Sequence, residues 1–220
     1  MSRRNKKPYT ESYIRTYKNV IDPRVCEALI HTYERVWGEN QEEIMKTSLC
    51  YNPDGSKFCV ACNCGRLDLT EHKDFKELIG YAMSGINKAI QMYKQDCGIT
   101  KGWPKKLGYE SPRIKRYLPD NNQQHDLHSD VTNKDDAKRF VSMVAYLNDD
   151  FEGGETTVPN FGYKSKVSTG AVMMFPTTWC YLHKGNPVRK GSPKYVLGTF
   201  LHYLSGTDQK GYQEDAPKVL

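Results

Sequence analysis

The sequence lacks any apolar run of the ~20 residues that a membrane-spanning helix needs. Its N-terminus, MSRRNKKPYT, is basic but has no apolar segment of the kind found in secretory signals. Internal repeats and long low-complexity tracts are also absent, and the sequence leaves the oligomeric state open. We therefore expect a cytoplasmic globular chain with no membrane partner, and its 220 residues suffice for one sizeable domain.

Cysteine is too scarce and too irregularly spaced to indicate a disulfide scaffold. The chain has 7 cysteines, an odd number, and no export signal, so reduced thiols are expected. Cys59, Cys62 and Cys64, with Cys50, could form part of a zinc site. Structural zinc sites usually have two paired knuckles, whereas this group has one C-x2-C pair with irregular extras. Free cysteines are therefore favoured over zinc ligands.

The excess of positive charge is modest. Basic residues number 32 and acidic residues 26, which gives a net charge of +6. Four of the positive charges lie in the first seven residues: Arg3, Arg4, Lys6 and Lys7. A basic tail of this kind can contact nucleic acid but is more often simply solvated. We expect residues 1–20 to form a flexible basic segment, and nucleic acid is disfavoured as a partner.

Helical patterns predominate in the first half of the chain. Asp22 and Pro23 are a typical cap and first residue of a helix, and Gly38 would end that helix. Apolar residues at helical spacing predict a second helix from about Lys73 to Tyr93. Residues 21–105 are thus expected to form a helical support region. The Gly- and Pro-rich run CGITKGWPKKLGYESP, residues 97–112, is typical of a linker.

Short strands are predicted in the second half. The runs rich in β-branched and aromatic residues are RIKRYL (113–118), FVSMVAYLN (140–148), ETTV (155–158), AVMMF (171–175) and KYVLGTFLHYL (194–204). Helices followed by many short strands indicate a helical layer that supports an antiparallel sandwich or barrel. This core would occupy residues 106–206, followed by a tail at 207–220.

The stretch QQHDLHSD, residues 123–130, carries the first candidate metal ligands. Side chains two apart in a strand share a face, so His128 shares a face with both Asp126 and Asp130, and His125 would face away. Parity therefore leaves the choice of carboxylate open. Two histidines and one carboxylate are the ligands typical of non-haem Fe(II) sites.

A third ligand should come from another strand. His183, which follows AVMMFPTTWCYL, is the candidate, because His31 and His72 are expected on solvated helix surfaces. Lys194 lies eleven residues after His183, at the start of a predicted strand. A cation in that place could bind the distal carboxylate of a dicarboxylate, or it could be a solvated strand end.

Three runs together resemble the Fe(II)- and 2-oxoglutarate-dependent dioxygenases, and within them the prolyl 4-hydroxylase branch. The runs are IKRYLPDNNQQHDLHSD, FVSMVAYLNDDFEGGETTVP and GAVMMFPTTWCYLHKGNPVRKGSPKYVLGTF. The resemblance covers about residues 112–204. It implies a mainly β fold with α: a double-stranded β-helix, or jelly-roll, core supported by N-terminal helices.

The resemblance also implies a site for Fe(II) and for 2-oxoglutarate. It selects the order His-x-Asp, so the implied iron ligands are His128, Asp130 and His183. Lys194 would bind the 5-carboxylate of 2-oxoglutarate. Because this chain has one extra residue between His183 and Lys194, Arg189 and Lys190 remain substitutes for that role.

Further residues match positions that line the pocket in the family. Tyr146, Tyr117 and Thr156 would lie around 2-oxoglutarate, although both tyrosines could equally be core aromatics. The residues matched to the substrate side are Arg139, Phe200, Arg66 and Asp68. Of these, the last two belong to CGRLDL, which is expected to be a substrate-lining loop.

The implied reaction consumes O2 and 2-oxoglutarate, releases succinate and CO2, and hydroxylates a prolyl residue in a peptide or protein. Ascorbate is the expected reductant. The first alternative is the same chemistry on a free amino acid, a lysine side chain or a small metabolite. A nucleic-acid demethylase would carry R-x-N-x-T-x-R after the distal histidine, where this chain has KGNPVRKGSPKYVLGTF. A non-catalytic binding module is disfavoured by the complete ligand set.

Overall fold

The computed structural model describes residues 12–39, 64–119 and 122–204. The helices in these ranges are α1 (Pro23–Glu39) and α2 (Lys76–Asp96). The strands are β1 (Arg15–Tyr17), β2 (Gly65–Asp68), β3 (Leu107–Tyr109), β4 (Arg113–Tyr117), β5 (His125–His128), β6 (Arg139–Tyr146), β7 (Phe151–Gly153), β8 (Thr156–Val158), β9 (Tyr163–Lys164), β10 (Val172–Pro176), β11 (His183–Gly185), β12 (Val188–Gly191) and β13 (Lys194–Tyr203). Neither helix is long and apolar enough to cross a membrane.

The first helix begins where the sequence predicts it. Asp22 accepts a hydrogen bond from the Arg24 backbone N–H at 2.8 Å, which satisfies one of the free donors of the first turn. The second helix begins at Lys76 instead of Lys73, because Lys73–Phe75 forms a separate 3-10 turn. His72 therefore precedes that turn, and the expectation that it lies on a helix surface is wrong.

A large antiparallel sheet has the strand order β1-β10-β6-β13-β4-β2, with β3 also paired to β13. Three of its strands come from segments expected to lack them. The expectation of a flexible segment at 1–20 is wrong for β1, which pairs with β10. The helical region contributes β2 and the predicted linker contributes β3. In each case, pairing with a partner strand satisfies backbone groups that the local pattern left unassigned.

A second sheet has the order β5-β11-β8-β9, and β7 pairs with β12. Two apolar cores separate the layers. One lies between the outer face of the large sheet and the helices, with Leu29, Ile86 and Leu197 among its members. The other lies between the two sheets and includes Tyr146 and Val196. We call the face of the large sheet that looks toward the second sheet the inner face.

Candidate metal centre

Two histidines and one aspartate converge between the sheets. His128 ends β5 and His183 begins β11, and their Cα atoms are direct partners across the two strands. The Nε2 atoms of His128 and His183 lie 3.6 and 3.7 Å from Asp130 Oδ1. The three candidate ligand atoms all lie within 4.8 Å of one another. The strand pairing thus brings together residues that are 55 positions apart in the sequence.

Backbone carbonyls fix the orientation of both imidazoles. His128 Nδ1 lies 2.7 Å from the carbonyl oxygen of Asp126, and His183 Nδ1 lies 3.0 Å from that of Tyr181. A ring nitrogen so placed carries the hydrogen and donates it, which leaves the Nε2 lone pair for a metal. The Phe175 ring packs edge-on against His183 with centroids 4.7 Å apart and restrains its rotation.

The charges at the site suit a cation. Burial raises the pKa of Asp130, but the neighbouring His183 and His128 outweigh burial, so the pKa lies below its usual value and the carboxylate is ionised. Asp130 Oδ2 is buried without a hydrogen-bond partner among the described residues. Burial lowers the pKa of His183, which eases loss of the ring proton to give the neutral imidazole that binds metals. These donors fit Fe(II).

His125 also belongs to the site, contrary to the expectation that it would face away. Its ring centroid lies 3.8 Å from that of His128. The pairing of β5 with β11 is irregular: His128 is opposite His183, whereas His125 is opposite Gly185. Four residues of β5 (125–128) thus lie opposite three of β11 (183–185), and this bulge breaks the period of two. Burial, then the charge of Lys115, holds the pKa of His125 far below its usual range.

Lys194 is buried on the inner face and is not a solvated strand end. Its Nζ donates to the carbonyl oxygen of Gly154 at 2.7 Å and lies 4.4 Å from the centroid of the Tyr117 ring. A side-chain carbon at Gly185, two residues after His183, would stand 3.7 Å from Nζ. Glycine therefore leaves space between the ammonium group and the strand that carries the metal ligand.

Both substitutes for Lys194 lie on the outside. Arg189 and Lys190 are exposed on β12, and Lys190 Nζ lies 3.9 Å from a carboxylate oxygen of Glu152. Their position leaves Lys194 as the candidate cation of the interior.

The other residues matched to the 2-oxoglutarate pocket form a buried polar group. The Tyr146 hydroxyl lies 2.8 Å from Thr156 Oγ1 and 2.8 Å from Ser165 Oγ. Burial raises the pKa of Tyr146 to about 12, so its hydroxyl stays protonated. Ser165 was missed by sequence analysis, because it lies in an irregular segment with no pattern.

Arg139 is held by protein groups instead of being open to a substrate. It forms a two-pronged ion pair with Glu110 at 2.6 and 2.9 Å, and another with Asp136 at 2.7 Å. Its Nη1 also donates to the backbone oxygen of Asp130 at 3.0 Å. The guanidinium carbon lies 4.5 Å from the centroid of the Phe200 ring, and Phe200 is half-buried. Arg139 thus supports the segment that carries a metal ligand.

The expectation of a substrate-lining loop at CGRLDL is wrong in one respect, because Arg66 and Asp68 lie on strand β2. Their alternation with the buried Leu67 puts both on the inner face. Asp68 accepts hydrogen bonds from Ser111 at 2.7 Å and from the Thr70 backbone at 3.2 Å, and it pairs with Arg113 at 3.4 Å. Asp68 is therefore a structural residue at the junction of β2 and β4.

Part of the proposed cysteine group lies outside the described residues, namely Cys50, Cys59 and Cys62. Cys64 is buried in the apolar core between the two sheets.

Comparison with known proteins confirms the resemblance drawn from the sequence motifs. Residues 112–202 match the family described as the 2OG-Fe(II) oxygenase superfamily. A relative named "Putative prolyl 4-hydroxylase", from Acanthamoeba polyphaga mimivirus, is 32% identical over 98 residues. The match covers 37% of this chain and 40% of that relative.

Two solved prolyl hydroxylases have the same fold. The viral collagen prolyl hydroxylase of Paramecium Bursaria Chlorella virus-1, solved as a 2OG complex, gives a TM-score of 0.58 at 20% identity and covers 88% of this chain and 98% of its own. A Trichoplax adhaerens prolyl hydroxylase, solved with a hypoxia inducible factor peptide fragment, gives a TM-score of 0.63 at 14% identity. The match covers 87% of this chain and 84% of that protein. The predicted double-stranded β-helix with supporting helices is therefore confirmed.

Proposed function

We propose that this protein is an Fe(II)- and 2-oxoglutarate-dependent dioxygenase that hydroxylates prolyl residues in a peptide or protein. The observation that carries the proposal is the convergence of two oriented imidazoles on a buried, ionised carboxylate, one oxygen of which has no hydrogen-bond partner in the described part of the chain. The match of residues 112–202 to the oxygenase superfamily supports the same chemistry.

His128, Asp130 and His183 would hold the iron. Bound there, Fe(II) supplies the oxidation of an unactivated C–H bond by O2, coupled to conversion of 2-oxoglutarate to succinate and CO2. The single carboxylate offsets one of the two iron charges, so the loaded site keeps a positive charge that favours an anionic co-substrate. Three protein ligands leave positions open for small molecules.

Lys194 would bind the distal carboxylate of 2-oxoglutarate. A buried ammonium is costly unless a charged or polar group pairs with it, and a carboxylate at this depth would do so by a charge-assisted hydrogen bond. Tyr117 would cover the aliphatic part of the co-substrate, since its ring already lies beside Nζ. Tyr146 and Thr156 would form the polar end of the same pocket. The apolar residues between the sheets would limit the access of water to it.

A prolyl substrate is supported by what the relatives are named. Two solved relatives are prolyl hydroxylases, and one of these was solved with a peptide. The same chemistry on a free amino acid, a lysine side chain or a small metabolite is the alternative. Ascorbate as reductant and a cytoplasmic location are part of the proposal.

The test is succinate formation from 2-oxoglutarate with Fe(II) and ascorbate, measured across proline peptides and free amino acids. We expect peptides to stimulate turnover and to gain the mass of one oxygen on proline. Succinate formation that no proline peptide stimulates would move the substrate to the alternative class. A protein that makes no succinate with any of these compounds would contradict the oxygenase assignment.

A further inference from the structure

Two basic side chains lie next to each other on the inner face of the large sheet, beside the metal centre. Arg66 of β2 and Lys115 of β4 are direct Cα partners in the antiparallel pairing. Side chains of directly paired residues share one face of a sheet and lie close together. We call Arg66 and Lys115 the basic pair.

The alternation of both strands fixes the face on which the basic pair lies. Leu67 and Ile114 belong to the core beneath the helices, so their neighbours Arg66 and Lys115 face the other way. A side-chain carbon at Gly65 would contact Tyr33 and Trp37 of α1, so Gly65 faces the helices. Arg66, the next residue on the strand, therefore faces away from them. The basic pair therefore looks toward the second sheet, which carries the metal ligands.

Lys115 lies between the deep pocket and the edge of the sheet. Tyr117, two residues further along β4, is the direct partner of Lys194. The spacing between alternate residues puts Lys115 about 7 Å from Tyr117 along the strand. The charge of Lys115 contributes to the low pKa of both His125 and His183, which agrees with a position beside the metal centre. Arg66, on the edge strand β2, extends the positive charge outward.

Among the described residues, the basic pair has no acidic partner of the kind that neutralises the neighbouring Arg113. Arg113, on the same face of β4, is paired with Asp68 at 3.4 Å and Glu110 at 3.7 Å. Within residues 12–39, 64–119 and 122–204, neither Arg66 nor Lys115 has a carboxylate oxygen within 4 Å. Both side chains are only half-buried, so they are open to a ligand.

We propose that the basic pair binds an acidic side chain of the substrate peptide and so selects prolines that have a glutamate or aspartate nearby. This inference rests on the proposed peptidyl-prolyl activity and adds a substrate class to it. Arginine can donate two parallel hydrogen bonds to a carboxylate, and lysine can add a further hydrogen bond from its ammonium group. A carboxylate bound at Lys115 and Arg66 would hold the peptide along the path from the sheet edge to the metal.

The experiment uses the full chain with Fe(II), 2-oxoglutarate and a set of peptides with one proline each. Glutamate, glutamine or lysine is placed at each position from three before to three after the proline, and hydroxylation is measured by mass. At one or more of these positions, we expect kcat/KM for the glutamate peptide to exceed that for the glutamine peptide on the order of tenfold. The preference should weaken as salt concentration rises.

Variants test whether the basic pair causes that preference. Lys115→Gln keeps an uncharged stem of similar length, and it should bring the ratio of glutamate to glutamine peptides down to near one. Lys115→Glu should favour the lysine peptide instead. The matched control is Lys88→Glu, the same charge change at an exposed position on α2, on the helical side of the large sheet, and it should keep the wild-type preference.

Three results would contradict the proposal. Equal kcat/KM for glutamate and glutamine peptides at every position would exclude the acidic specificity while leaving prolyl hydroxylation in place. A Lys115→Gln effect confined to the KM for 2-oxoglutarate would assign Lys115 to the co-substrate. Absence of hydroxylation on every peptide would overturn the proposed substrate class itself, which distinguishes that failure from failure of the basic pair.

Discussion

At the scale of single residues, hydrogen bonds to the backbone fix the orientation of both histidine ligands. The Nδ1 atoms of His128 and His183 face carbonyl oxygens, so only their Nε2 atoms remain for a metal. Asp130 supplies a buried carboxylate whose Oδ2 has no partner among the described residues. This pre-arrangement means that loss of one ligand cannot be compensated by a small rotation of another.

Asp130→Asn should abolish strong binding of a divalent metal, because an amide carries no charge and is a weaker ligand. Removal of groups that only support ligands costs about 10–100-fold in metal affinity, and loss of a ligand should cost more. Mn(II) binding measured by calorimetry would test this. Asp126→Asn is the control, since Asp126 is exposed and lies at the other possible spacing from His128. Loss of metal in Asp126→Asn but not in Asp130→Asn would reverse the assignment.

Lys194→Met should chiefly raise the KM for 2-oxoglutarate. Truncation of one partner in a buried charge pair costs about 2 kcal/mol or more, which corresponds to a roughly 30-fold higher KM. Steady-state kinetics over a range of 2-oxoglutarate concentrations would measure it. Lys190→Met, the same change on an exposed strand, should leave KM unaltered. An unaltered KM in the Lys194 variant would remove Lys194 from the co-substrate site.

At the scale of elements, the family motifs identified the ligands, whereas strand patterns left both the carboxylate and the irregularities between strands open. His128 and Asp130 lie within one short motif that the resemblance could match, while strand parity allowed Asp126 equally well. The inward position of His125 depends on a bulge between β5 and β11, which no local pattern encodes. The alternation in RIKRY does predict that Lys115 shares a face with Tyr117. The side of the sheet on which Lys115 lies could therefore be predicted from the sequence.

Polar contacts between different elements could not be predicted from the sequence either. Arg139 was matched to a substrate position, yet its partners Glu110 and Asp136 come from the β3–β4 turn and the loop before β6. Asp68 likewise pairs with Arg113 across two strands. Such pairs depend on tertiary pairing, whereas sequence shows only that a charged residue is present.

Arg139→Gln should weaken metal binding about 10–100-fold, because Arg139 supports the backbone oxygen of Asp130 and its loss frees the ligand-bearing segment. Mn(II) affinity gives a readout independent of turnover. Arg189→Gln removes an exposed arginine and should leave that affinity intact. If Arg139→Gln keeps full metal affinity and lowers only the kcat/KM for peptide, Arg139 contacts the substrate as the family resemblance implied.

At the scale of the whole molecule, the helices and the large sheet share one apolar core, and the metal centre lies on the opposite side of that sheet. The sheet is thus supported from behind by α1 and α2 while its inner face carries chemistry. This division separates residues needed for stability from those needed for binding.

Ile86→Ala, in the core beneath α2, should lower the free energy of unfolding by about 2–5 kcal/mol through lost burial and a cavity. Urea unfolding would measure the change. Met92→Ala, at an exposed position of the same helix, should cost far less. Mn(II) affinity measured below the unfolding transition should be the same in both variants; a large loss in Ile86→Ala would show that the helical layer and the metal centre are coupled.

The central claim is that His128, Asp130, His183 and Lys194 form one site in which 2-oxoglutarate binds to a metal and a buried lysine together. Calorimetric titration of 2-oxoglutarate into the protein, with and without Mn(II), tests this claim most directly. We expect measurable binding only with the metal, its loss in Asp130→Asn and a roughly 30-fold weaker affinity in Lys194→Met. Binding of equal strength without metal, or an affinity that neither substitution lowers, would contradict the account.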